Sequence, residues 1–345
     1  MNLNEPLREF TDQIAEERVF DPFSALEEEL ASALSIYWST AGDILRGSGV
    51  ELLDPPDDFF SIDKNFFSTL FLYSYKRAGI PRSSRIMYGA VNQCLRGMVT
   101  GCDNILDDEY KMTLATSLPK QGVRFRSIVD IMVSDRVLFE ILLRKSLEEG
   151  LSYDQVISAS AASLRALVKS GVQEASEEGG IDRILDPTEI LRLVHHYKTG
   201  ILFQCPWAVP STIERMGKEN IAPIIDALYR IGMGCQIMDD MVDLPEDARK
   251  KGHNYLISLI YHTPDHREWD RFKALLATAG GPAEESDLLR EFPRAQQTAA
   301  KTSRAYLKAG LEVLFRDRHR CFVEPTMKFL SKKIGADRFM PVYER

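Results

Sequence analysis

Two short carboxylate clusters stand out against an apolar, helix-patterned background. The first runs Cys102-Asp103-Asn104-Ile105-Leu106-Asp107-Asp108-Glu109 and ends a long apolar stretch; the second runs Gln236-Ile237-Met238-Asp239-Asp240-Met241-Val242-Asp243. Residues four apart share a helix face, so Asp103 pairs with Asp107 and Asp239 with Asp243. Asp108 is turned about 100° from the first pair. Like charges on an apolar face repel and are costly to bury unless a cation sits between them. Magnesium, a hard cation, takes carboxylate oxygens and shares its shell with substrate phosphates. Pro245 disfavours helix at Leu244, which puts Asp243 in a last turn, where the helix dipole also opposes an ionised carboxylate. A single cluster reads as well as a solvated helix end. Two of them, each ending an apolar helix, suggest opposing walls of one metal-lined cavity, suited to neutralising a diphosphate leaving group and shielding a carbocation from water.

The elements that must carry these clusters are helical. Helix-period patterning covers 25–37, 85–107, 127–149, 153–174, 189–203 and 222–242, while strand-like alternation is scarce. Asp186-Pro187-Thr188-Glu189 has an acceptor, a proline and an early acid in the order of a helix start. Breakers around Pro55-Pro56, Gly79-Ile80-Pro81, Gly179-Gly180 and Gly280-Gly281-Pro282 are too short to be interdomain linkers, and no fixed-period repeat occurs. The expectation is one all-α domain over residues 1–345.

Composition narrows the class. Of 345 residues 44% are hydrophobic, and 43 basic against 51 acidic side chains leave a formal charge of −8. No basic stripe is evident along the chain, which argues against a nucleic-acid partner. Five widely spaced cysteines without a CxxC pair argue against disulfides or structural zinc and fit a reducing cytoplasm. The acidic, amphipathic N-terminal twenty residues do not read as a signal peptide, and no apolar run approaches the roughly 18 residues needed to span a bilayer.

With these residues in view, the chain resembles the trans-isoprenyl diphosphate synthases and their class I terpene-synthase relatives. Four stretches occur in that family's order: DNILD at 103–107, GVQEA at 171–175, KTGILF at 198–203 and GCQIMDDMVD at 234–243. They span roughly residues 60 to 260, counting the region before the first motif. The resemblance implies a helical bundle around a central cavity and a homodimer. It also implies magnesium, three ions per site, held by Asp103, Asp107, Asp239, Asp240 and Asp243. Lys198 would grip the diphosphate, and Gln236 and Gln173 would line the substrate site.

Departures from the family pattern shape the expected activity. Asn104 stands where elongating enzymes carry an aspartate, their arginine pair after the motif is missing, and their Gly-Gly-Lys-Arg is reduced to Ile62-Asp63-Lys64-Asn65. Lys64 remains a substrate-site candidate, and Arg124 and Arg126 are candidates to replace the pair. Arg249, Lys250 and Lys251 could close over the diphosphate as a lid, or form a plain solvated loop. Phe66, Phe67, Tyr88 and Phe203 are candidate cation-stabilising walls, against a reading as ordinary core. A weakened second diphosphate site favours a terpene synthase or cyclase that ionises an allylic prenyl diphosphate alone. The alternatives are a chain-elongating transferase using isopentenyl diphosphate, and a non-catalytic partner subunit of the same fold.

Overall fold

The computed structural model describes residues 20–278 and 288–340, so the N-terminal twenty residues but for the last, and the Gly280-Gly281-Pro282 breaker, lie outside the described residues. No β-strand occurs among the described residues; a single isolated bridge joins Leu52 and Thr116. The chain forms two compact units, one of residues 20–168 and 205–224, the other of 169–204, 225–278 and 288–340 as far as described.

The first unit holds α1 (Glu27–Leu45), α2 (Phe66–Arg77), α3 (Arg82–Leu106) and α4 (Val123–Glu149). Helix α3, which ends in the first carboxylate cluster, packs on all three others. Its glycines make this possible. A Cβ on Gly101 would lie 2.6 Å from Ile131 Cγ1 and 2.9 Å from the Ser127 carbonyl, so only glycine lets α3 lie this close to α4. Leu34, Tyr37, Leu72, Val91, Val137 and Leu138 fill the space between the helices, each fully or nearly fully buried. Such burial contributes about 1.5–3 kcal/mol per large side chain.

Helices α5 (Tyr153–Glu177) and α6 (Lys218–Val242) run from one unit into the other. In the second unit the expected helix start at Asp186 is a full capping box: its carboxylate accepts from the amides of Thr188 and Glu189 while Glu189 accepts from the Asp186 amide. The segment Ile190–Gly200 that follows is π-helical, a geometry that often marks functional sites. Then come α7 (Leu244–Lys250), α8 (Tyr255–Tyr261), α9 (Arg267–Thr278), α10 (Pro293–Leu314) and α11 (Val323–Ile334). Ile190, Val194, Ile237, Met241, Leu256, Phe292 and Ala299 share one buried core. Gly234 plays the part here that Gly101 plays in the first unit: a Cβ would lie 2.6 Å from Leu307 Cγ on α10.

All six patterned segments are helical, with shifted ends. Segments 66–77, 244–250, 255–261, 267–278, 293–314 and 323–334 are helical too. The stretch after the second cluster is therefore two short helices joined by residues 251–254. Pro245 sits within the first turn of α7, where its missing amide costs nothing, and Asp243 becomes the N-cap of that helix. No helix among the described residues is long and apolar enough to cross a membrane.

Candidate active site

In the second unit the C-terminal turns of α6, the π-helical segment, the end of α5 and the α7–α8 junction bring one lysine and several carboxylates together. Lys198 Nζ lies 3.4 Å from Glu174 Oε1. Burial alone would lower the Lys198 pKa, but Glu174, Asp240, Glu177 and Asp247 outweigh it and raise the value above the usual lysine range. The carboxylates show the opposite stress. Asp239 reaches solvent, yet desolvation and then Asp240 push it up to about 6. Desolvation followed by Asp239 raises Asp243 to about 7, and desolvation followed by Asp240 raises Asp247 to about 7. Carboxylates crowded this way around one lysine are poised to take up further positive charge.

Asp240 behaves differently. Its Oδ2 accepts from the Tyr255 amide at 2.6 Å and lies 2.9 Å from His195 Nε2, while Oδ1 accepts from Gln236 Nε2 at 3.0 Å. Burial would raise its pKa, but His195 and these donors hold it below the usual range. Both oxygens are hydrogen-bonded within the protein, so Asp240 ties α6, α8 and the π-helical segment together. Gln236 is likewise buried, with Thr199 Oγ1 donating to its Oε1 and its amide nitrogen turned towards Asp239 and Asp240. Its amide thereby orients the two carboxylates.

The other residues expected in this unit divide similarly. Gln173 donates to Glu177 at 2.8 Å. Lys250 pairs with Glu246 at 2.8 Å within α7, and Lys251 is the left-handed C-cap whose carbonyl accepts from Ile181. Arg249 and Lys250 are exposed on α7, so the proposed lid is a helix with its ends fixed. Glu174, Glu177, Asp247, His195 and Asn254 were not singled out from the sequence. Spacing was the available signal: Asp247 follows Asp243 by four and Glu177 follows Gln173 by four. Asn254 caps α8 and donates to Asp247 Oδ2 and the Asp240 carbonyl, both at 2.8 Å.

In the first unit Asp103 is half-buried and Asp107 exposed, at the end of α3, and the Asp107 amide bonds to the Asp103 carbonyl at 2.8 Å. They keep the shared face. Asp108 turns away in a left-handed conformation and reaches Arg124 at 3.4 Å. Asn104, where a metal contact was in question, is fully buried. Its side chain donates to the Lys111 carbonyl at 3.1 Å and accepts from the Lys111 amide at 2.8 Å. It pins the turn after the motif.

Arg126 lies over the Tyr110 ring at 3.8 Å, and Tyr110 donates to Asp130, whose carboxyl burial pushes up to about 6. Lys64 pairs with Asp58 at 2.7 Å. Phe66 and Tyr88 are core: Phe66 meets the edge of Phe23, and Tyr88 packs on Tyr75 while bonding Glu214. Phe67 and Phe203 are half-buried, with Phe203 packed over Gly232.

Arg96, two helical turns before Asp103, had drawn no attention. It is half-buried, makes its hydrogen bond to Asn65 Oδ1 at 2.9 Å, and has no carboxylate partner among the described residues. Burial lowers its pKa. A desolvated guanidinium without a counter-ion is costly, and the cost is relieved when an anion binds.

Among the described residues no three His, Cys, Asp or Glu side chains converge tightly enough to cage a metal by themselves. Paired carboxylates with raised pKa values nonetheless fit a dication that completes its shell with phosphate and water.

No family model and no curated protein matches the sequence. Solved structures do. Geranylgeranyl pyrophosphate synthetase from the archaeon Geoglobus acetivorans aligns at 18% identity with a TM-score of 0.56, over 92% of this chain and 99% of that one. Geranylgeranyl pyrophosphate synthase from Lactobacillus brevis aligns at 15% and 0.59, over 91% and 99%. A polyprenyl synthase from Caulobacter crescentus, complexed with calcium and isoprenyl diphosphate, aligns at 13% and 0.57, over 94% and 98%. The chain thus has the all-α fold of the trans-isoprenyl diphosphate synthases.

Proposed function

We propose that this protein is a magnesium-dependent prenyltransferase that elongates an allylic prenyl diphosphate with isopentenyl diphosphate, its two units acting as one isoprenoid synthase domain in the cytoplasm. Asp239 and Asp243, with Asp103 and Asp107, would hold the magnesium, which neutralises the departing pyrophosphate when bound. Lys198, steadied by Glu174, would contact that diphosphate. Asp240, Gln236 and His195 keep the carboxylates in place.

The observation that carries elongation over the cyclase expected from sequence is Arg96. Joining two diphosphates requires provision for both. One can be met through metal and Lys198, and the second needs cations of the protein's own. Lys64 and Arg124 are paired with acids, which by itself favoured ionisation of a single substrate. Arg96, next to Asn65 and without a carboxylate, supplies what that reading lacked. The named activities of the structural neighbours point the same way.

Incubation with magnesium and geranyl or farnesyl diphosphate, with and without isopentenyl diphosphate, separates the readings. Longer diphosphates should appear only with isopentenyl diphosphate. Hydrocarbon or alcohol from the allylic substrate alone would restore the cyclase, and no pyrophosphate release under either condition would leave the partner subunit. In the elongating enzyme Arg96→Met should raise KM for isopentenyl diphosphate at least about tenfold, the scale of one lost charge-assisted contact, with little change for the allylic substrate.

A homodimer fits the exposed apolar stripes of two consecutive helices. On α4 these are Phe125, Ile128, Met132, Leu143 and Leu147; on α5 they are Tyr153, Ile157, Leu164, Val168 and Val172. Leu147 and Tyr153 are 80% and 70% exposed. Ten such side chains are on the scale of the roughly 800 Å² per partner of an ordinary interface. Sedimentation equilibrium of Leu147→Glu/Leu164→Glu against the native chain tests it.

A further inference from the structure

Charge is distributed very unevenly over this acidic protein. Residues 293–340 carry eleven lysines and arginines against four acids, although the whole chain has 43 against 51. The basic stripe that did not show along the sequence appears once the helices are placed. Arg294, Lys301 and Lys308 recur at intervals of seven on α10, within about 40° of one line along the helix, and all three are exposed. The turn after α10 adds the exposed Arg316, Arg318 and Arg320. Helix α11 adds Lys328 and Lys332, one turn apart and exposed. Packing of α10 against α11, joined by the Arg304–Glu324 ion pair at 2.7 Å, makes these stripes parts of one surface in the second unit.

Two further observations say what this surface suits. First, none of the large hydrophobic side chains exposed among the described residues lies between 293 and 340; those on α4 and α5 belong to other helices. A specific protein partner needs a desolvated apolar or aromatic centre, and this face offers none. Attraction to an anionic lipid surface needs none either, because it adds up charge by charge over a Debye length. Second, the remainder of the chain, with 32 basic against 47 acidic side chains once those of 293–340 are taken from the totals of 43 and 51, is repelled by such a surface. The excess of positive charge on this face favours its approach over that of the acidic remainder.

We propose that the α10–α11 face is a peripheral docking surface for an anionic lipid bilayer, held by lysine and arginine contacts to acidic headgroups without insertion. It stands independently of the proposed reaction, since no residue of the candidate active site is part of it.

The experiment is co-sedimentation of the full chain with phosphatidylcholine vesicles, with and without about one third phosphatidylglycerol, read at low salt and at about 0.5 M sodium chloride. The native protein should bind the anionic vesicles, leave the neutral ones unbound, and dissociate at high salt. Arg294→Glu/Lys301→Glu/Lys308→Glu and, separately, Lys328→Glu/Lys332→Glu should each weaken binding at least about tenfold. Reversal of two exposed cations elsewhere, Lys120→Glu/Arg136→Glu, should not. Circular-dichroism melts confirm folding, and if one of the two variants misfolds the other decides. Equal binding to both vesicle types, or equal loss in the control variant, overturns the proposal. So does displacement from anionic vesicles by duplex DNA at equal phosphate concentration, which would make the face a nucleic-acid surface.

Discussion

The two carboxylate motifs look like variants of one device in sequence, and the structure treats them differently. Both end a glycine-containing helix pressed close to a neighbour, α3 on α4 through Gly101 and α6 on α10 through Gly234. Past that point they diverge. At the second motif the middle polar residue, Asp240, is a buried knot with donors from three elements. At the first motif the corresponding position is Asn104, buried too, but tied only to the Lys111 backbone. In each case the residue beside the first aspartate is hydrogen-bonded within the protein, and in the proposed function the outer pair four apart meets the metal. On that proposal the motif does two jobs, and the inner residue is set apart from the metal-holding pair.

The largest effect should come from the knot. Asp240→Ala removes one partner of a buried pair and should cost about 3 to 5 kcal/mol of stability, seen as a lower denaturant midpoint. Wild-type stability with lost magnesium affinity would instead make Asp240 a ligand. Next come Asp239→Asn and Asp107→Asn, each expected to lower turnover by at least about a hundredfold without loss of stability. Near wild-type pyrophosphate release from both would remove the metal reading altogether. Asp108→Asn, which breaks only an exposed pair with Arg124, should change turnover less than about twofold.

Converting Asn104 to aspartate sharpens the contrast from the other side. The amide donor to Lys111 is lost and a carboxylate faces a carbonyl, so stability should fall by about 2 kcal/mol. Magnesium affinity, read by calorimetry with pyrophosphate, should not improve. An improvement would mean that position 104 can face metal.

The smallest effect is in pH. Asp239, Asp243 and Asp247 titrate near 6, 7 and 7 in the folded protein, above their ordinary 3.8. The metal-free folded state therefore holds protons that the unfolded state releases. Their contribution to stability falls as pH rises from about 4 to about 7 and stays lost above that. Magnesium with pyrophosphate should raise Tm more at about pH 8 than at about pH 5, where the carboxyls are protonated. An equal rise at both values would place the ion elsewhere.

Local pattern was enough for the all-α class and the helix start at Asp186, and it puts Asp103 with Asp107 and Asp239 with Asp243 on one face, because residues four apart share a helix face wherever the helix goes. The same locality explains the misreadings. The charge run over 246–255 reads as a lid or a solvated loop, but a proline in the first turn is free of cost, and α7 forms over Leu244–Lys250. What a polar side chain does depends on which donors and acceptors reach it from elsewhere in the chain. Asp240 is bonded by His195 and Tyr255, Lys64 by Asp58, and Arg96 has no carboxylate partner among the described residues. Nothing in their own neighbourhoods of sequence records this. Hydrogen-bond saturation, desolvation and the gathering of distant cations onto one face are properties of packing, and only the tertiary structure decided them.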